Sequence, residues 1–129
     1  MRAEELKGHL DALLLATLEG GPRHGYAVIE ALRQSTGGRL DLPTGTIYPA
    51  LRRLEQAGLI AGTWSVVGGR RRREYRLTPA GIRALSGRRA AWRDFSATVT
   101  AALESATRVN TALENAALED TACPSPNPA

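Results

Sequence analysis

Residues 44–60, TGTIYPALRRLEQAGLI, decide the fold. The apolar residues of this stretch recur at helical spacing and predict a helix with one side in the core: Ile47, Ala50, Leu51, Leu54 and Ala57. Thr44 is the expected N-cap, since its hydroxyl can accept a hydrogen bond from an N–H of the first turn. Pro49 fits such a helix only near its first turn. Gly58 suits the left-handed residue just past the helix end.

The opposite side of this helix is polar and carries Gly45, Tyr48, Pro49, Arg52 and Gln56, with Arg53 at its flank. Arginine and glutamine can hydrogen-bond to base edges in a major groove, and tyrosine can reach a phosphate or a thymine methyl. Glycine allows close approach of the backbone. An ordinary solvated helix face is the alternative, and the segment downstream favours the DNA-facing interpretation.

That segment predicts a β-hairpin. Leu59 to Val66 favours an extended strand, Gly68-Gly69 is a turn signal, and Arg71 to Leu77 returns. Alternation along the returning strand places its side chains on two faces. One face holds Arg71, Arg73, Tyr75 and Leu77, and the other holds Arg72, Glu74 and Arg76.

The charge is concentrated in this hairpin. The chain has 17 basic and 13 acidic residues, a net charge of +4 and a pI near 10.0. The turn and returning strand contain Arg70, Arg71, Arg72, Arg73 and Arg76 against Glu74 alone. Such a cluster repels itself unless a polyanion faces it, so nucleic acid is the favoured partner. A solvated arginine turn, or an acidic protein surface as partner, remains the alternative.

Two helices precede this region. A first helix is predicted by residues at helical spacing, with Leu15 and Leu18 widening its apolar face: Leu6, Leu10, Leu13, Leu14 and Thr17. Gly20-Gly21-Pro22 ends it. A second, short helix begins at His24 or Gly25, and Gly37-Gly38 ends it. We interpret His24 as a helix-start residue rather than a metal ligand, because it has no partners of ligand type nearby.

A long fourth helix follows. Thr78 is its expected cap and Pro79 its first residue. A seven-residue apolar row runs along it, comprising Leu85, Trp92, Val99, Ala106 and Leu113, with Ile82, Ser96 and Leu103 in a companion row. This pattern is typical of a helix that packs on another helix. We therefore divide the chain into a DNA-binding domain (residues 1–78), a dimerisation helix (79–119) and a disordered tail (120–129).

Several function classes are disfavoured. A single cysteine excludes an intrachain disulfide and a multi-cysteine metal site. The chain has no nucleophile elbow and no phosphate-binding loop, since Lys7 is its only lysine. We expect neither an enzyme nor a bound cofactor or metal. The apolar run from Ala12 to Leu18 is too short to span a membrane, and the N-terminus lacks a signal-peptide pattern, so we expect a cytoplasmic protein.

The predicted order of three helices and a hairpin is that of a winged helix-turn-helix, mainly α with a small β-hairpin, extended here by the long C-terminal helix. The residues resemble PadR-type transcriptional regulators over residues 6 to about 95. The resemblance rests mainly on GPRHGY (21–26), GTIYPALRRL (45–54) and REYRLTPAG (73–81). A single extended helix after the hairpin is similar to the short form of the family.

The resemblance implies a homodimeric repressor that binds a near-palindromic operator, often in response to a small molecule. The candidate DNA contacts are Thr44, Gly45, Thr46, Tyr48, Arg52, Arg53, Gln56, Arg70, Arg71, Arg72 and Arg73. Family members dimerise through the C-terminal helix packing on the partner's N-terminal helix. The candidate dimer contacts are Leu10, Leu14, Leu85, Trp92, Val99 and Leu103.

Arg89, Trp92 and Phe95 are candidate residues for a small aromatic effector. Two indoles near a dimer axis would form flat apolar walls, and the arginine would supply charge for an acidic ligand. The alternative is that Trp92 is a packing residue that seals the interface. For the whole chain, the alternative function is a winged-helix protein-interaction module without specific DNA binding.

Overall fold

The computed structural model describes Leu6 and residues 8–122, with the backbone alone for residues 106–112 and 117–122. The elements in chain order are α1 (Leu10–Thr17), β1 (Arg23–His24), α2 (Gly25–Ser35), α3 (Thr44–Gln56), β2 (Ile60–Val67), β3 (Arg70–Leu77) and α4 (Pro79–Ala122). Two compact units divide the chain, with the boundary between Arg89 and Ala90. The predicted class, a winged helix-turn-helix with a long C-terminal helix, is confirmed.

The core of the first unit is mainly aliphatic, includes Tyr75, and contains residues from every helix of that unit. Leu14, Val28, Ile47 and Leu51 are fully buried, and Leu85 from the first turns of α4 joins them. The side of α3 predicted to be buried is buried, apart from Ala57, which follows the helix as its exposed C-cap residue. This packing fixes α3 in place and leaves its polar side in solvent.

The sheet has three antiparallel strands in the order β1-β3-β2. The hairpin of β2 and β3 is confirmed, and its turn residues Gly68 and Gly69 have φ of 59° and 78°, as a tight primed turn requires. The third strand was not predicted. Arg23 and His24 pair with Tyr75 and Glu74 of β3. This contact joins residues that are distant in sequence, and a two-residue segment after a proline carries no pattern that predicts a strand.

Two predicted helix starts are wrong. Pro43, not Thr44, is the N-cap of α3, and its carbonyl accepts hydrogen bonds from the N–H groups of Thr46 and Ile47. The fixed φ of proline suits the extended conformation that an N-cap needs. Pro49 therefore lies in the second turn, where it leaves the Gly45 carbonyl without its usual helical donor. The first helix begins at Leu10 rather than at Leu6.

The start of α4 agrees with the sequence. The Thr78 hydroxyl accepts a hydrogen bond from the Gly81 N–H and donates one to the Gly58 carbonyl, which ties the cap to the end of α3. The helix extends to Ala122, beyond the predicted boundary at residue 119. The greater part of the predicted tail, from Cys123 onward, lies outside the described residues. Within the described chain, no helix is both long and apolar enough to cross a membrane.

Candidate nucleic-acid interface

The polar side of α3 is accessible along its length. Thr44, Gly45, Tyr48, Arg52 and Gln56 are exposed, and Thr46 is half-buried. Among the described residues, the side chains of Arg52 and Gln56 have no hydrogen-bond or ion-pair partner. Since the two lie one turn apart, both can reach the same groove of a duplex.

Arg53 lies at the flank of this surface, as predicted, and also ties α3 to α1. Its Nη2 donates to Oδ1 of Asp11 over 2.6 Å, and its side chain remains 59% exposed. The guanidinium carries five donors, so the remaining ones can still meet a phosphate. The ion pair was not predicted, because its partners lie 42 residues apart in sequence.

Tyr48 is held by the start of α2. Its ring lies directly against Gly25, where an added methyl group would overlap it, and 43% of the side chain remains exposed. His24 caps α2 by accepting the Ala27 N–H at Nδ1 over 3.2 Å, which agrees with its interpretation as a helix-start residue. In the described part of the chain, no group of three His, Cys, Asp or Glu side chains is placed to hold a metal ion.

The hairpin carries its arginines on two distinct faces, as the alternation predicted. On the face toward α3, the guanidinium carbons of Arg71 and Arg73 lie 4.8 Å and 5.3 Å from the ring centroid of Trp64. The outer face carries Arg70, Arg72 and Arg76. These three guanidinium groups are exposed and make no ion pair with any described residue. The outer face is therefore the part of the hairpin best suited to a polyanion.

Arg73 also binds Glu55 of α3. Its Nη2 and Nε donate to Oε2 over 2.9 Å and 3.3 Å, and Nη2 also contacts Oε1. The hydrogen bonds that Arg73 donates to Glu55 raise the pKa of Arg73 further above its ordinary value. Burial, aided by Glu55, raises the pKa of Tyr75, which keeps this hydroxyl protonated. Glu55 was missed by the sequence reasoning, as was the stacking role of Trp64.

Together, α3 and the hairpin enclose an open cleft of about 580 Å³. Its walls include Tyr48, Arg52 and Gln56 from α3, and Trp64 and Arg73 from the hairpin. The cleft has aromatic walls and an excess of positive charge. This combination is suited to the sugar-phosphate backbone and to groove edges of a nucleic acid.

Two of the predicted dimer contacts lie in the core of a single chain. Leu14 and Leu85 are 0% and 2% exposed, because both belong to the core of the first unit within a single chain. Leu10 is half-buried against the same core. In the second unit, the exposed fractions of Trp92, Val99 and Leu103 are 53%, 38% and 65%. This row of exposed apolar side chains is the part of the predicted interface that is accessible in a single chain, and the interface stays a prediction.

The three candidate effector residues fall in different units. In the first, Arg89 donates hydrogen bonds to both carboxylate oxygens of Glu19, and these bonds lower the pKa of Glu19. The charge of Arg89 is thus already compensated. In the second unit, the rings of Trp92 and Phe95 lie 6.1 Å apart between centroids, at an interplanar angle of 38°. This tilted pair exposes flat apolar surface.

Comparisons with known proteins agree with this geometry. Residues 14–87 match the transcriptional regulator PadR-like family. The chain is similar to the transcriptional regulator Rv3488 of Mycobacterium tuberculosis, with 45% identity over 64 residues, which is 50% of this chain. It spans about half of that relative, 47% of its length.

Two solved structures extend the comparison. A PadR family transcriptional regulator from Eggerthella lenta is 35% identical, with a TM-score of 0.70 over 78% of this chain and 87% of that one. Bacillus subtilis PadR, solved in complex with operator DNA, is 25% identical, with a TM-score of 0.57 over 61% of this chain and 45% of that one. With more than half of its residues matching the family, this chain belongs to the PadR-like family of transcriptional regulators.

Proposed function

We propose that the chain binds duplex DNA sequence-specifically, with α3 in the major groove and the outer face of the hairpin on the phosphate backbone. The observation that carries this proposal is the exposed pair Arg52 and Gln56 beside an arginine hairpin. Arg52 and Gln56 read base edges, whereas Arg70 and Arg72 neutralise phosphates and supply affinity for any sequence. The Bacillus subtilis relative that was solved in complex with operator DNA supports DNA binding.

The active form in this proposal is a homodimer on a near-palindromic operator. The 44-residue α4 carries the exposed apolar residues Trp92, Val99 and Leu103, which are suited to packing on the N-terminal helix of a second copy of the chain. Twofold symmetry would then present two α3 helices to successive major grooves. We propose that this dimer is a repressor, because a dimer bound to an operator excludes other proteins from the same DNA. We propose that it acts in the cytoplasm.

Selection of bound sites from random duplex DNA, followed by footprinting, tests this function. We expect an enriched sequence with two inverted half-sites and protection over both. The alternative, a protein-interaction module, predicts no retention of random duplex even at low salt. Retention without any enriched sequence would reduce the function to nonspecific DNA binding.

We also propose a small planar aromatic effector that binds beside Trp92 and Phe95. The exposed, tilted ring pair supports it, whereas the ion pair of Arg89 with Glu19 argues against a major role for Arg89. Trp64→Phe leaves Trp92 as the single tryptophan reporter. Titration with planar aromatic acids and polycyclic cations should quench its fluorescence saturably and release operator DNA. An intact dimer without saturable quenching would make Trp92 a packing residue.

A further inference from the structure

We propose that Glu55 and Arg73 form a strut that sets the angle between the hairpin and α3, so that Arg73 is a positioning residue and not a phosphate contact. This proposal rests on the proposed DNA-binding function and refines it. It separates Arg73 from the other hairpin arginines and assigns a role in sequence recognition to an acidic residue.

The contacts of the pair add a polar connection between α3 and the hairpin, which also share the core of the first unit. Glu55 lies in the last turn of α3, and Arg73 lies in the middle of β3. The side chains are 25% and 31% exposed, so water reaches the pair less than it reaches the outer arginines. A carboxylate that binds both Nε and Nη2 of an arginine fixes orientation as well as distance.

The neighbouring residues make room for this geometry. Gly62 of β2 pairs with Tyr75, on the face of the hairpin toward α3. A methyl group at Gly62 would lie only 2.5 Å from Nε of Arg73. A side chain at this position would therefore displace the guanidinium from its path across β2 to Glu55. Trp64, directly opposite Arg73 in the ladder, stacks against the same guanidinium.

These contacts leave Arg73 poorly suited to a phosphate. Two of its three nitrogens already donate to Glu55, whose charge also cancels that of the guanidinium locally. Arg72, the preceding residue, points to the outer face and is exposed. We conclude that adjacent arginines perform different tasks: Arg72 supplies sequence-independent affinity, and Arg73 aligns the hairpin with α3.

The proposal predicts that removing the Glu55 carboxylate changes DNA affinity in the direction opposite to that expected from charge repulsion alone. Removing a carboxylate near DNA normally strengthens binding, because a like charge no longer repels the phosphates. If Glu55 is part of a strut, its removal instead weakens operator binding, since base contacts and phosphate contacts can no longer form together. Binding to random duplex does not require base contacts and phosphate contacts to form together. The preference for the operator over random duplex therefore falls.

The test compares Glu55→Gln with Glu74→Gln. Glu74 is the matched control, because it makes the same charge change on β3 and forms no ion pair within the described residues. We expect Glu74→Gln to strengthen binding to operator and random duplex alike. Glu55→Gln should lower the operator-to-random affinity ratio, by about fivefold for a well-oriented surface pair. If both variants strengthen binding equally, Glu55 is only a repelling charge and the strut is refuted.

A second pair of variants keeps the test independent of folding defects. Arg72→Gln should reduce the salt dependence of random-duplex binding, whereas Arg73→Gln should leave it unchanged and lower the operator preference. The double variant Glu55→Gln/Arg73→Gln should be no worse than either single one. A reduced salt dependence in Arg73→Gln would identify Arg73 as a phosphate contact. If the wild-type chain shows no operator preference, the proposed function itself fails, which separates the two outcomes.

Discussion

The two units of the chain differ in that the first has a buried apolar core, whereas the large apolar residues described in the second are exposed. In the first, aliphatic side chains from α1, α2, α3, the sheet and the start of α4 are buried in one core. In the second, large apolar side chains along α4 are exposed, among them Trp92, Phe95, Leu103 and Leu113. The first unit therefore has a core of its own, although Trp64, Val66 and Ile82 of this unit are also exposed. The second presents a surface whose regular spacing fits another helix.

The comparison is tested most severely in the core. Leu51→Ala removes a side chain with no exposed surface and should lower the free energy of unfolding by about 2–5 kcal/mol. Urea denaturation followed by circular dichroism measures this. Leu103→Ala, on the exposed row, is the matched control and should leave the unfolding transition of the first unit nearly unchanged. Equal losses in both variants would contradict the division into a self-sufficient and a partner-dependent unit.

A charge introduced into the exposed apolar row of α4 tests the proposed dimer interface. Leu103→Asp should shift the chain toward monomer, raising the dissociation constant of the dimer by about tenfold or more, because the interface would bury an unpaired carboxylate. Sedimentation equilibrium at micromolar concentration measures the mass. Ala97→Asp adds the same charge on the opposite side of the helix and should leave the dimer intact. A wild-type chain that sediments as a monomer would remove the row from any dimer.

The next prediction concerns the outer face of the hairpin. Arg70→Ala and Arg72→Ala should weaken binding to all duplexes alike. Each should also flatten the plot of log affinity against log salt by roughly 0.9 for each phosphate that the variant no longer neutralises. Fluorescence anisotropy over a range of salt concentrations measures both effects. A change in sequence preference, with an unchanged slope, would instead make these arginines base readers.

The smallest effect concerns the ion pair of Glu19 with Arg89. Hydrogen bonds from Arg89 hold the pKa of Glu19 below its ordinary value of 4.5. The pair therefore stabilises the fold above that value, and the contribution is lost as the pH falls through the lowered pKa. Thermal melts of Glu19→Gln and wild type should differ slightly at neutral pH and converge once the pH falls below the lowered pKa of Glu19. A difference that persists in acid would mean that Glu19 acts through something other than its charge.

Much of the fold follows from local signals in the sequence. The order of the elements, the two-glycine turn and the Thr78 cap each depend on residues that are neighbours in the chain. The family resemblance, now confirmed, depends on the same short motifs. Counting outward from Gly68-Gly69 also pairs Trp64 with Arg73. The stacking of this tryptophan on the arginine could therefore have been predicted from the sequence.

What the sequence did not yield depends on contacts between distant residues. The strand β1 forms by pairing with β3, with Arg23 opposite Tyr75. A segment of two residues is too short to show the alternating pattern that predicts a strand. The pair of Glu55 with Arg73 connects different elements in the same way. Leu85 belongs to the same seven-residue row as Trp92, yet the packing of the first unit takes it into the core. Spacing alone could not separate the two.

The central claim is that α3 reads the DNA sequence through its exposed side. Parallel selections from random duplex DNA with wild type and Arg52→Ala test it most directly. We predict that both enrich the same site, but that the variant loses its preference at one base pair in each half-site. Its affinity for the wild-type site should fall by about 1–3 kcal/mol. Identical enriched sites and affinities for the two proteins would contradict the claim.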